Sequence, residues 1–136
     1  MKLIFSFIAM ALVALASPAH AINASGCAGT TLTKTVTIAA SGTKTAAIDL
    51  GCFTLVGVQL GAFTGTALTF EASSATNGTF VAVKAGTGGS NLSYTVAQNT
   101  FASFDPKDFY GLSIIKLVSG STEASERTLT LYLKGF

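Results

Sequence analysis

The chain has no tryptophan, one histidine and two prolines among its 136 residues, and only 10% of its residues are charged. Each scarcity narrows the field. The lone histidine, His20, lies at the end of an N-terminal apolar leader. Once that leader is removed, no imidazole is left for a Ser-His or Cys-His nucleophile. The few lysines and arginines form no basic stripe, so the electrostatic footprint of a nucleic-acid binder is missing. The absence of tryptophan removes the strongest aromatic platform for a sugar. Pro106 is the one proline after the leader, so almost nothing interrupts a β ladder. Long helical periodicity is also missing from that point onward.

The leader reads as a secretory signal peptide over residues 1–21. Lys2 supplies its positive start, Leu3 to Ala16 is apolar apart from Ser6, and Pro18 breaks the signal helix. Ala19-His20-Ala21 is a small-x-small site, which predicts cleavage between Ala21 and Ile22. The apolar run falls short of the roughly 20 residues that span a bilayer, which argues against an uncleaved anchor. Ala24-Ser25-Gly26-Cys27 loosely matches a lipidation box, but polar and turn-forming residues separate it from the apolar run. The expectation is therefore a secreted or periplasmic protein with no stable membrane insertion after cleavage. Removing Lys2 from the eight lysines and arginines leaves seven against six acidic residues, a net +1. Residues 22–136 are long enough for one domain with its own core.

Two cysteines are present, Cys27 and Cys52. Export places them in an oxidising compartment, where a disulfide is the default expectation. It would tie the N-terminal segment to the start of the third strand, worth about 3 kcal/mol in chain-entropy terms. A metal-binding pair lacks both histidine and zinc-site spacing.

Short runs rich in Thr, Val, Ile, Leu and Phe recur between Gly, Ser and Asn clusters. Such spacing predicts an all-β sandwich or barrel. The first strand is Thr31–Ile38, where four threonines alternate with Leu32, Lys34, Val36 and Ile38. Lys44–Leu50 and Phe53–Leu60 follow, and Gly57 inside the latter suggests a bulge or a close neighbour. Ala67–Ala72 and Thr79–Lys84 flank Asn77-Gly78, read as a hairpin turn because both positions tolerate positive φ. Alternation continues through Leu92–Val96 and a short strand at Thr100–Phe104. Asp105-Pro106-Lys107-Asp108 reads as one capped helical turn ended by Gly111. Leu112–Val118 is strongly apolar, and Ser119–Ser125 reads as a polar loop. Arg127–Lys134 turns Leu129, Leu131 and Leu133 inward and Thr128, Thr130 and Tyr132 outward. Eight or nine short strands of this kind predict an antiparallel two-sheet β-sandwich, jelly-roll-like. Phe53, Phe70, Phe80 and Phe104 are its aromatic core candidates.

The inventory for catalysis is poor. Asp49, Glu71, Asp105, Asp108, Glu123 and Glu126 are the carboxylates, and a glycosidase would need two of them across a cleft. Each lies beside a turn or at an outward strand position, where a solvated charge is expected. Gly86-Thr87-Gly88-Gly89 lacks the Lys-Ser/Thr ending of a phosphate loop. Asp105 and Asp108 offer too few ligands for calcium, and capping accounts for them. The reading is non-enzymatic, with no cofactor and no metal. Tyr110, Tyr132 and Phe136 are the aromatics best placed for contact with a partner.

Several segments carry a resemblance. Thr35–Leu50, Leu55–Leu60, Thr66–Ser73 and Gly78–Val83 resemble small virion-associated proteins of tailed bacteriophages. So do Phe104–Gly111, Ile115–Ser121 and Arg127–Leu131, and together these segments run through most of residues 35–134. The resemblance implies a β-sandwich accessory protein of the head-decoration or tail-associated sort, with no catalytic residues to carry over. The export signal and the cysteine pair depart from that pattern. They point to a domain of this kind in an exported protein. Its expected partners are protein surfaces of a virion or cell-envelope assembly. A carbohydrate- or cell-surface-binding sandwich, working through its end loops, is the alternative.

Overall fold

Strict alternation of threonine with larger residues does build an edge-to-edge strand, β1 (Thr31–Ile38). The computed structural model describes residues 26–136; the leader, its cleavage point at Ala21 and Ile22, and Ala24-Ser25 lie outside the described residues. After β1 come β2 (Ile48–Asp49), β3 (Phe53–Leu60), β4 (Ala67–Ser73), β5 (Val81–Ala82), β6 (Ser93–Thr95) and β7 (Phe101–Ser103). A 3₁₀ turn over Pro106–Phe109 precedes β8 (Ile114–Ser119) and β9 (Arg127–Gly135).

The strands form two antiparallel sheets. One has the order β1-β9-β3-β7 and the other β2-β8-β4, with β5 and β6 both paired to β4. The pairing is nested: β1 with β9, β2 with β8, β3 with β7, β4 with β6. A long hairpin rolled up on itself gives this order, so the sandwich is a jelly roll. Leu129, Leu131 and Leu133 from β9 join Leu68 and Phe70 from β4 and Leu117 from β8 in one buried core. Each such side chain, fully buried, contributes about 1.5–3 kcal/mol.

Gly57 shows both features its position suggested. The β3–β9 register shifts between Leu55 and Gly57, and the Phe101 ring lies so close that an added Cβ would sit 2.5 Å from its Cζ. The 3₁₀ turn is capped as expected, with the Lys107 amide donating to Asp105 Oδ1 at 3.0 Å, and Gly111 follows at φ 78°.

Other expectations are corrected. The strand predicted over Lys44–Leu50 shrinks to Ile48–Asp49 because Lys44 and Thr45 cross between the sheets. Thr45 bridges to Ile38, Lys44 bridges to Val118, and the Leu117 amide donates to Thr45 Oγ1 at 3.1 Å. The return strand predicted over Thr79–Lys84 is only Val81–Ala82, since β6 occupies the Ala67–Thr69 part of the same β4 edge. Asn77 and Gly78 do not take positive φ. Gly78 instead closes a turn that starts at Ala75, its amide donating to the Ala75 carbonyl at 3.0 Å. Phe80 is not core: its ring lies 4.0 Å beneath the Lys116 ammonium, a residue of β8 that points out of the sandwich. Phe63 and Phe109 occupy the core instead, both from segments outside the strands.

Candidate functional site

The outer face of the β1-β9-β3-β7 sheet is built by register. Thr33 lies opposite Tyr132, Thr35 opposite Thr130, and Thr37 opposite Thr128. Because side chains alternate along a strand, these residues share the outward face. On β3, Gly57 and Gln59 continue the same rows beyond Tyr132 and Thr130, and Phe101 of β7 pairs with Gln59. The result is two adjoining rows of threonine hydroxyls and methyls, ended on one side by an aromatic patch. Phe101 and Tyr132 pack edge to face with ring centroids 5.1 Å apart, and the Tyr132 hydroxyl donates to Gln59 Oε1 at 3.2 Å. Lys134 is the charged residue of this face.

Phe101 rests over Gly57, where no Cβ interferes, yet remains 53% exposed. The face therefore presents threonine hydroxyls and methyls beside an exposed aromatic ring.

Tyr110 and Phe136 form a second exposed aromatic pair, with ring centroids 5.4 Å apart and nearly perpendicular planes. The Lys134 ammonium stands 5.5 Å from the Phe136 ring centre. All three contact residues proposed from the sequence are therefore surface aromatics, though Tyr132 is half-buried against Phe101 and lies apart from the Tyr110–Phe136 contact.

Cys27 and Cys52 are bridged, with their Cα atoms 6.0 Å apart. The bridge anchors the turn before β1 to the turn before β3. The same turn lies against Gly135, whose amide donates to the Thr30 carbonyl at 2.9 Å and whose carbonyl accepts from the Gly29 amide at 3.1 Å. No side chain would fit at Gly135, because the Cys27 carbonyl occupies the place of a Cβ.

Glu123 corrects the expectation of a solvated loop carboxylate. It is fully covered, with no exposed surface. Its Oε2 accepts from the Thr64 amide at 3.0 Å and from Arg127 Nε at 3.0 Å. Its Oε1 accepts from the Ser119 hydroxyl at 2.9 Å and the Gly65 amide at 3.3 Å. Its backbone exchanges two hydrogen bonds with the Ser41–Gly42 turn. Burial alone would raise its pKa, but the Thr64, Ser119 and Arg127 hydrogen bonds outweigh it and hold the carboxyl below its ordinary 4.5. Glu123 thus ties three loops together at one end of the sandwich.

Tyr94 organises the aromatic end of the core. Its ring packs among Phe70, Phe104 and Phe109. Its hydroxyl donates to Asp108 Oδ2 at 2.5 Å and accepts from the Asp105 amide at 3.1 Å. Burial, and then the bond to Asp108, push its pKa up to about 12. Asp105 and Asp108 are therefore committed to the cap and to Tyr94. Asp49 accepts from the Gly51 amide at 2.8 Å, and Glu71 pairs with Lys44 at 2.6 Å on the exposed side. Among the described residues, no group of three or more His, Cys, Asp or Glu side chains is placed to hold a metal ion, and no helix is long and apolar enough to cross a membrane.

The fold and its surface define a disulfide-bonded jelly-roll sandwich with a threonine-rich outer sheet. No family model, curated protein or solved structure gives a significant match to this chain.

Proposed function

We propose that this protein is an exported, non-enzymatic interaction module, a β-sandwich accessory component of a virion or cell-envelope assembly. The observation that carries the reading is the outer face of the β1-β9-β3-β7 sheet. Its registered threonine rows end in the exposed Phe101 and the half-buried Tyr132. Small hydroxyl-bearing side chains on a rigid sheet lose little conformational entropy when a partner covers them. The disulfide suits an oxidising compartment, secreted or periplasmic. The resemblance to phage accessory sandwiches supplies the kind of assembly.

The test is co-purification with assembled particles. A Thr35→Asp/Thr130→Asp double variant places two charges side by side on the face. It should keep the wild-type fold and lose particle association. Unchanged association would remove this face from the reading. A wild-type chain that never enters a larger assembly would remove the function.

The exposed Tyr110–Phe136 pair favours a second reading, a carbohydrate- or cell-surface-binding module. A glycan array with wild type and Tyr110→Ala decides it: binding lost in the variant supports this reading, and no binding by wild type removes it.

A further inference from the structure

Sheet edges invite pairing with other strands, and folded proteins guard them with short strands, prolines, bulges or outward charges. Here the edge strands β2, β5, β6 and β7 are each two or three residues long. The fourth boundary, β1, is different. It runs for eight residues, pairs with β9 along its whole length, and has no proline and no register shift. Its one charged side chain, Lys34, is turned away to the Asp49 carbonyl at 3.1 Å. Leu32 remains 44% exposed beside it. Among the described residues, the bridge from Ile38 to Thr45 is the one backbone pairing on this edge, and Ala46, Ala47 and Ile48 flank Lys34 to Thr37 across an open groove.

The hydrogen-bond phase of the edge follows from one contact. The Gly135 amide donates to the Thr30 carbonyl. In an antiparallel pair, bonded and non-bonded positions alternate. Even-numbered residues of β1 therefore spend their backbone groups on β9. The N–H and C=O groups of Thr31, Thr33 and Thr35 face the open side.

We propose that this edge pairs with the β1 edge of a second copy of the chain, antiparallel, about a two-fold axis at Thr33. This deepens the function proposed above by naming one partner, and it rests on that reading only in requiring a protein surface. The register is selected by the residues. Centring on Thr33 sets Thr31 against Thr35 and Thr33 against itself, forming about six backbone hydrogen bonds, two for each paired position. It places Lys34 beside the partner's Leu32, so the ammonium stems cover the exposed leucines and like charges do not meet. Centring on Lys34 would oppose the two ammonium groups. Centring on Thr35 would run the partner into Ile38, which Thr45 already holds. The pairing would join two four-stranded sheets into one of about eight strands and double the threonine face.

Mass measured by sedimentation at rising concentration tests it. The wild type should pass from monomer to dimer. Thr33→Pro removes an N–H that faces the open side and spares the β9 ladder, so it should fold and dimerise at least tenfold more weakly. A short bis-maleimide supplies a second measurement that does not rely on proline. Thr33→Cys should cross-link to a covalent dimer and Thr37→Cys should not, since the native cysteines are already bridged. A wild type that stays monomeric to its solubility limit overturns the inference. So does preferential cross-linking at position 37. If particle association survives those results, the proposed function stands without the homotypic pair. If the dimer forms but no particle association is found, the pairing stands and the proposed function falls.

Discussion

Replacing Glu123 with alanine should destabilise the protein more than any other single surface-loop change. The substitution leaves four donors without their acceptor: the Thr64 and Gly65 amides, the Ser119 hydroxyl and Arg127 Nε. Thr64 is exposed and can turn to water, and Arg127, whose side chain is 19% exposed, can partly do so. Gly65 and Ser119 are buried and cannot. A buried donor left unpaired costs about 1–3 kcal/mol. Breaking a buried ion pair costs about 3–5 kcal/mol. These overlap and do not add, so a loss of about 3–4 kcal/mol is expected. For a domain of this size that lowers the melting temperature by roughly 10–20 °C. Thermal melts followed by far-ultraviolet circular dichroism, paired with urea titrations, read it directly. Glu123→Gln keeps the shape but loses the charge, and should fall between wild type and alanine. The pH dependence supplies the sign. The folded carboxyl has its pKa below 4.5, so its stabilisation is complete above that value and fades as pH falls through the folded pKa. Wild type should therefore lose this contribution on acidification, and the glutamine variant should lack that part of the slope. A change below about 1 kcal/mol in the alanine variant would refute the role of Glu123 as a tie between loops.

Three further outcomes follow from the same structure. Reduction of the Cys27–Cys52 bridge, or a Cys27→Ala/Cys52→Ala double variant, should lower stability by about 3 kcal/mol, measured in urea, while the sheet signature persists. Tyr94→Phe removes the bonds to Asp108 and the Asp105 amide and should cost about 1–2 kcal/mol. Because the Tyr94 pKa is raised to about 12, wild type holds this contribution below pH 10 and loses it as pH rises toward 12; melts of the variant should lack that alkaline decline. Phe70→Ala opens a cavity beside Tyr94, Phe104 and Phe109 and should cost about 3–5 kcal/mol, with binding of a hydrophobic dye reporting the loosened core.

The long strands were legible because their faces differ. β1, β3 and β9 each carry their pattern over eight or nine residues, and the structure places their ends within one residue of the sequence reading. Short strands were less legible. Lys44–Leu50 alternates well enough for a strand, but two sheets compete for it, and Thr45 gives its side chain to Leu117. The Asn77-Gly78 pair has the chemistry of a tight hairpin, yet the chain turns two residues earlier, at Ala75. Phe63 lies in a segment that reads as a loop and Phe109 in one that reads as a single helical turn, and only tertiary packing turns them inward. Glu123 was misplaced for a related reason. A charged residue in a polar loop predicts solvent, and its partners at Thr64 and Gly65 are about 60 positions away in the chain. The disulfide was legible from two cysteines and the expectation of export. The threonine face was visible strand by strand, but its registered rows depend on how β1 meets β9.

Mass spectrometry of purified assembled particles, with lysine cross-linking before digestion, tests most directly whether this protein is part of an assembly. The chain should be present in stoichiometric amounts, beginning at Ile22, with cross-links from Lys134 beside the threonine face to a second protein. Recovery of the chain solely as free protein, absent from any particle or envelope complex, would contradict it.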